Sequence, residues 1–373
     1  MTARAGERDR RSRAAFVGSA VFWGLVAAGL AAAFVPQRRI RTATGTPATG
    51  DSADLPPVPD DGRGRAATSP VEIPRRGWWD ILVRTVTETI ADRVLSLAAG
   101  VAFYGLLAVF PAISALISLY GLVLDPTGLQ QQLDAASWFL PSGAIEVMRD
   151  QALRIISKGA PTLGFSFLLS LGIALWSANA ATKAMIEALN IAYEEEERRS
   201  FVRLTMITLA FTLAAILFAG VATAVVIALP VAFKLMSIDS GTEWLISLLR
   251  WPALATVVAL VISVIYRFGP CRQAARWAWV SLGSVVAALL WIAVSVGFSW
   301  YVSRFGNYNE TYGSLGAVVG FMTWMWLSIT VVLVGAELNA EMEHQTAMDT
   351  TTGPPQPMGQ RGARMADTIG PAQ

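Results

Sequence analysis

A single cysteine, Cys271, and a single histidine, His344, stand in a chain of 373 residues. One cysteine excludes an intrachain disulfide. The shortage of both excludes the His/Cys clusters that hold zinc, copper or haem. A His-dependent catalytic triad would have to be built on His344, in a polar tail beside the membrane. Charge is scarce as well: Asp, Glu, Lys and Arg make up 15% of the chain, against roughly 25% in a soluble domain. With 54% hydrophobic residues and a mean hydropathy of +0.49, there is too little charge to solvate a globular surface. The net charge of +2 carries no signal for nucleic acid. What the chain has instead is a set of apolar runs at or above the roughly 18 residues that mark a membrane span. The fold class expected is all-α: a polytopic helical membrane protein.

The first apolar run, Ala14 to Val35, lies between Arg-rich stretches. It exceeds the roughly 7–15 residues of a signal-peptide core, so it reads as an extra N-terminal helix or anchor within a segment 1–35. Residues 36–75 are rich in Pro, Gly, Thr, Asp and Arg without apolar period and read as a disordered linker. From Trp78 onward, Trp79, Leu82, Val83, Val86 and Ile90 recur at helical spacing, with Asp80, Arg84, Glu88 and Asp92 on the other side. That is an amphipathic helix lying at the membrane surface. Six core spans are predicted within residues 76–342: Leu95–Val123, Leu163–Ala180, Leu204–Phe233, Trp251–Tyr266, Ala278–Val302 and Ser314–Leu338. Between the first two, Leu129 to Ile156 reads as a helical hairpin resting on the bundle. Residues 343–373 are polar, without periodicity, and are expected to be a disordered tail.

Charge gives an orientation. Six Lys and Arg residues fall in the loops of one side and nine on the other, to which residues 36–94 before the first span add nine more. The positive-inside rule puts the second side, with both ends of the six-span core, in the cytoplasm. The five arginines before residue 14 conflict with this if the first apolar run crosses the membrane.

The core segments carry a recognisable pattern: Leu97-Ala-Ala-Gly-Val-Ala-Phe-Tyr104 leading to Phe110-Pro111, then Ala174-Leu-Trp-Ser-Ala178 and Ala188-Leu-Asn-Ile-Ala-Tyr193. Arg250-Trp-Pro252, Tyr266-Arg-Phe-Gly-Pro270, Tyr301-Val-Ser-Arg-Phe-Gly-Asn-Tyr-Asn309, Thr311-Tyr-Gly-Ser-Leu-Gly316 and Gly335-Ala-Glu-Leu-Asn339 follow in order. Over residues 78–343 the chain resembles the YihY / virulence factor BrkB family of bacterial inner-membrane proteins. The resemblance implies a six-helix membrane core and a place in the bacterial plasma membrane. It brings no defined reaction, since the old ribonuclease BN label of the family is a misassignment. Nuclease chemistry is also disfavoured by the residues themselves. The acidic run Glu194 to Glu197 is consecutive, so on a helix its carboxylates point in different directions and do not converge on a metal.

Polar groups in membrane helices are few and therefore informative. Glu337, near the end of the sixth span, reads in two ways. It is a proton or substrate site at the cytoplasmic mouth, opposed by Arg267 or Arg203, or an interfacial carboxylate pairing with an arginine to fix the helix end. The polar, glycine-bounded connection Gly306 to Gly313 offers Asn307, Tyr308, Asn309 and Tyr312 either as contacts for a headgroup or solute, or as an outer turn bonding to its own backbone. Asn179, Asn190 and Tyr193 form a polar seam that serves a pathway or simply interhelical hydrogen bonds. The candidate substrate-binding set is Asn190, Arg267, Asn307, Tyr308, Asn309, Tyr312 and Glu337, with no catalytic residue, metal or cofactor. The expected partners are membrane lipids and a lipid or amphiphilic ligand, not nucleic acid. The leading expectation is a non-enzymatic inner-membrane protein that binds or transports such a ligand. Two alternatives stand beside it: a membrane scaffold that recruits envelope partners, and a membrane-embedded lipid-modifying enzyme.

Overall fold

The computed structural model describes residues 61–123, 160–235, 240–305 and 315–373. The expected N-terminal apolar helix, the hairpin between the first two spans, and the loop carrying Asn307, Tyr308, Asn309 and Tyr312 all lie outside these residues. Among the described residues the regular structure is helical. A 3-10 turn, Pro70–Glu72, precedes α1 (Arg75–Ala91). Six long helices follow: α2 (Val94–Val123), α3 (Ala160–Ala192), α4 (Phe201–Leu235), α5 (Ser240–Phe268), α6 (Trp277–Phe305) and α7 (Leu315–Glu343). A short α8 (Arg364–Asp367) closes the chain.

Among the described residues, four stretches are long and apolar enough to cross a membrane: Val94–Ala112, Phe201–Phe218, Trp277–Arg304 and Val318–Glu343. Ala255–Phe268 in α5 is apolar but shorter. The principal packing runs in series, α5 on α6, α6 on α7, α7 on α2, α2 on α3 and α3 on α4, with α3 also reaching α7. Close approach uses small residues. A Cβ on Gly335 would stand 2.5 Å from the Tyr266 hydroxyl and 2.6 Å from Ala287, and one on Gly105 would meet Met325. Away from these seams the helices present large apolar side chains outward. Trp176 is 80% and Leu217 69% exposed, as expected of surfaces meant for lipid.

α1 is turned inside out relative to a helix on a soluble core. Trp79, Leu82, Val86 and Ile90 are exposed, while Asp80, Ile81, Arg84 and Thr85 are buried against the protein. The apolar stripe predicted at the membrane surface faces away from the bundle, and the polar stripe makes the protein contacts. α1 ends at Arg93, whose positive φ of 54° turns the chain into α2. The Arg93 carbonyl then accepts from Ser96 and Leu97 to start α2. α3 ends in the same way at Glu194, φ 52°. Neither residue is the glycine or asparagine that usually takes this conformation.

Two segments expected to lack structure are packed. Of the predicted linker, residues 61–75 lie against the bundle, with Ala67 and Ile73 joining Ile81, Trp279, Leu338 and Met342 in a core cluster. Thr346 Oγ1 donates to the Ala67 carbonyl at 2.7 Å, and Ala347 N to Arg65 at 2.8 Å. Residues 344–373 fold back over the same end of the bundle. Buried Arg361 donates to the carbonyls of Ala347, Met348, Gln356 and Ala366. Asp367 accepts from the backbone N–H groups of Gly359, Arg361 and Gly362. An arginine feeding carbonyls and an aspartate collecting N–H groups satisfy the backbone without any apolar period. That is why a reading based on periodicity expects disorder here. The result is a polar end, built from residues 61–93, 193–200, 269–276 and 339–373, and an apolar remainder.

Candidate functional site

The polar end is dense in ion pairs. Arg84 of α1 donates to the Glu341 carboxylate and to Gln345 Oε1 at 2.7 Å, and reaches the Pro371 carbonyl at 3.0 Å. Arg63 holds Asp80 at 2.5 and 2.7 Å. With the Gln373 N–H it keeps that carboxyl below the usual range although burial opposes it. Arg272 holds Glu343 at 2.6 Å, both side chains having 0% exposure, while Thr350 donates to the same carboxylate at 2.9 Å. The Arg272 guanidinium also lies 4.2 Å from the Tyr193 ring centroid. These are charges taken out of water beside their counter-ions, with only the Arg272 Nε of this group left without a hydrogen-bond partner.

Glu337 breaks the pattern. It lies in α7 with 0% exposure, and neither carboxylate oxygen has a hydrogen-bond partner. Its side chain meets that of Asp92, just after α1 and placed there by the Arg93 turn. Two ionised carboxylates are acceptors only and cannot bond to each other; with one proton between them they can. Burial, then the charges of Glu88 and Glu194, push the Asp92 carboxyl up to about 7. Burial raises Glu88 as well, with repulsion from Glu341 added. The Tyr193 hydroxyl, at the end of α3, is also buried without a partner.

The sequence-predicted site residues separate into three groups. Glu337 is in this pocket. Asn190 is buried but fully used as a brace: it accepts from Cys271 N at 2.7 Å and donates to Glu197 at 3.1 Å. Glu197 is held down to about 2 by its hydrogen bonds from Arg199. Arg267 donates to the Ala275 carbonyl and stacks on Trp277, 4.5 Å from the ring centroid. Neither Arg267 nor Arg203, which is exposed, is a hydrogen-bond partner of Glu337, so the arginine expected opposite that carboxylate is not there. Among the described candidates, then, Asn190, Arg267 and Glu337 are not joined by hydrogen bonds. Asn307, Tyr308, Asn309 and Tyr312 fall outside the described residues.

Sequence reasoning missed Asp92 as a partner. The signal was present: it is the last acidic residue of the amphipathic stripe, directly before an apolar span. Asn339, named above only as the end of the Gly335–Asn339 motif, clamps α7 to α6. It accepts from Gly283 N at 3.0 Å and donates to the Val280 carbonyl at 3.1 Å. Among the described residues no three of His, Cys, Asp and Glu are grouped so as to hold a metal ion. The seam between α3 and α4 carries a Thr182–Thr212 hydroxyl bond of 2.8 Å.

Residues 85–359 match the family described as Virulence factor BrkB, and the chain belongs to that family. It is 32% identical over 254 residues to the ribonuclease-like protein YfkH of Bacillus subtilis (strain 168), covering 66% of this chain and 88% of that protein. A UPF0761 membrane protein of Aliivibrio fischeri (strain ATCC 700601 / ES114) is 26% identical over 271 residues, 71% of this chain and 83% of the relative. Another, of Chromohalobacter salexigens, is 28% identical over 279 residues, 71% and 64%. No solved structure matches the chain. The match ends well inside the folded tail, past the 342 boundary expected for the membrane domain.

Proposed function

We propose that this member of the Virulence factor BrkB family is a non-enzymatic, six-span protein of the bacterial inner membrane that binds or moves a lipid or amphiphilic solute. The observation that carries the reading is Glu337. A fully buried carboxyl without a partner at the end of an apolar helix costs stability, and membrane proteins keep such groups for ligands, ions or protons. The outward apolar faces of α3 and α4 and the exposed stripe of α1 offer surfaces for lipid. In this reading the polar end faces the cytoplasm, following the charge bias, and α1 lies in the headgroup region. Asn307, Tyr308, Asn309 and Tyr312 serve the other mouth. Asn190 and Arg267 are braces rather than ligand contacts. The name of the Bacillus relative raises ribonuclease activity, and no group of residues described above supplies the acid–base pair that reaction needs.

Native mass spectrometry of the gently extracted protein tests the proposal. A stoichiometric lipid adduct that survives delipidation, and is lost in Asn307→Ala or Tyr308→Ala, is the expected result. A bare protein, or adducts indifferent to those substitutions, overturns ligand binding in favour of a scaffold.

A further inference from the structure

The role given to Glu337 leaves open what it takes, and the geometry narrows the choice. A side chain with 0% exposure offers no surface to a water-sized sphere. A hydrated ion or a headgroup therefore does not reach this carboxyl in the described conformation. No N–H or O–H in the surroundings donates to it. The charged groups nearby are Glu88 and Arg84 from α1, Glu194 after α3, and Glu341 with His344 from the end of α7. Arg84 is committed to Glu341, and Arg364 to Glu194 at 2.7 Å. These cations are paired with Glu341 and Glu194, while Glu88 adds its negative charge to that of the two facing carboxyls, Asp92 and Glu337.

We infer that Asp92 and Glu337 form a proton-binding pair, in which one proton taken from water at the polar end is held between the two carboxyl groups. Binding converts two facing acceptors into one O–H···O bond and removes one unit of negative charge from the pocket. Release restores the repulsion between the α1–α2 turn and α7. The pair refines the role given to Glu337 above and rests on it. It makes ligand handling proton-linked, because the turn that carries Asp92 is the joint between the surface helix and the first span. The buried Tyr193 hydroxyl, also without a partner, interacts electrostatically with Glu337 and is a donor available to the ionised pair.

Infrared difference spectroscopy of the full-length protein in lipid nanodiscs, titrated from about pH 5 to about pH 9, reads the proton directly. The expected result is a protonated-carboxyl stretch that shifts in heavy water, fades with a midpoint near neutrality, and changes its frequency or midpoint in both Asp92→Asn and Glu337→Gln. Absence of the band in wild type, or a band unchanged in both variants, overturns the pair. Asp92 lies in the turn outside the spans, so Asp92→Asn decides the matter alone if Glu337→Gln does not fold. No lipid ligand is needed, so this failure is distinct from the absence of a lipid adduct.

Discussion

Glu343 and Glu337 lie on the same helix, and both have 0% exposure. Glu343 receives two bonds from Arg272 and one from Thr350. Glu337 receives none. The first is architecture: a charge buried with its counter-ion joins the α5–α6 connection to the folded tail and holds α7 at a set height. The second gives the fold nothing in its ionised form. A region that stabilises and a region that is tolerated can therefore be told apart by counting hydrogen-bond partners, although burial is the same in both.

Breaking the satisfied region should have the largest effect. Arg272→Ala leaves Glu343 buried and alone, and is expected to lower stability by about 3–5 kcal/mol in detergent unfolding followed by circular dichroism. Next is the α6–α7 clamp. A Cβ at Gly283 would overlap the Asn339 side chain, so Gly283→Ala displaces both Asn339 hydrogen bonds. A loss of about 1–3 kcal/mol is expected from the same unfolding measurement. The unsatisfied region should respond to pH instead. Asp92 is raised to about 7 in the folded protein, so its contribution is present below the ordinary aspartate value and is lost as pH rises through about 7. A fall of the order of 1–2 kcal/mol across that window is expected in wild type. Glu337→Gln should leave that slope in place, because burial, Glu88 and Glu194 set it, and change stability by less than about 1 kcal/mol at mildly acidic pH, as an uncharged isostere. A large loss there would place Glu337 with Glu343 as architecture and erase the contrast. The smallest effect should come from the rim: the Arg364–Glu194 pair is exposed, so Arg364→Ala should cost at most about 0.5 kcal/mol and less at high salt.

Much of this molecule was legible from residue order. The surface helix was placed from Trp78 onward and runs from Arg75 to Ala91. The first span was placed from Leu95 and begins at Val94. Apolar period and run length decide such elements, and both are local properties. Glu337 was legible for a similar reason, as a carboxyl on an apolar helix. The roles of Asn190 and Arg267 were not. Both are polar residues near helix ends, and only the arrival of Cys271 and Glu197, or of Ala275 and Trp277, makes them braces. The folded tail was illegible because its order rests on single side chains such as Arg361 and Asp367 satisfying backbone, which leaves no repeat to detect.

The sequence alone determined that this chain enters a membrane as helices, which of those helices are apolar, and to which family it belongs. Scarce charge and long apolar runs admit few other solutions, because a backbone in lipid must satisfy its own hydrogen bonds. Only the tertiary structure decided which buried charges have partners. Arg84 finds Glu341 and Gln345 across more than two-thirds of the chain, Arg272 finds Glu343, and Glu337 finds only another acid. Partnership between charged groups falls off over a few ångströms, so it depends on where the helices bring their side chains and not on where those residues stand in the chain.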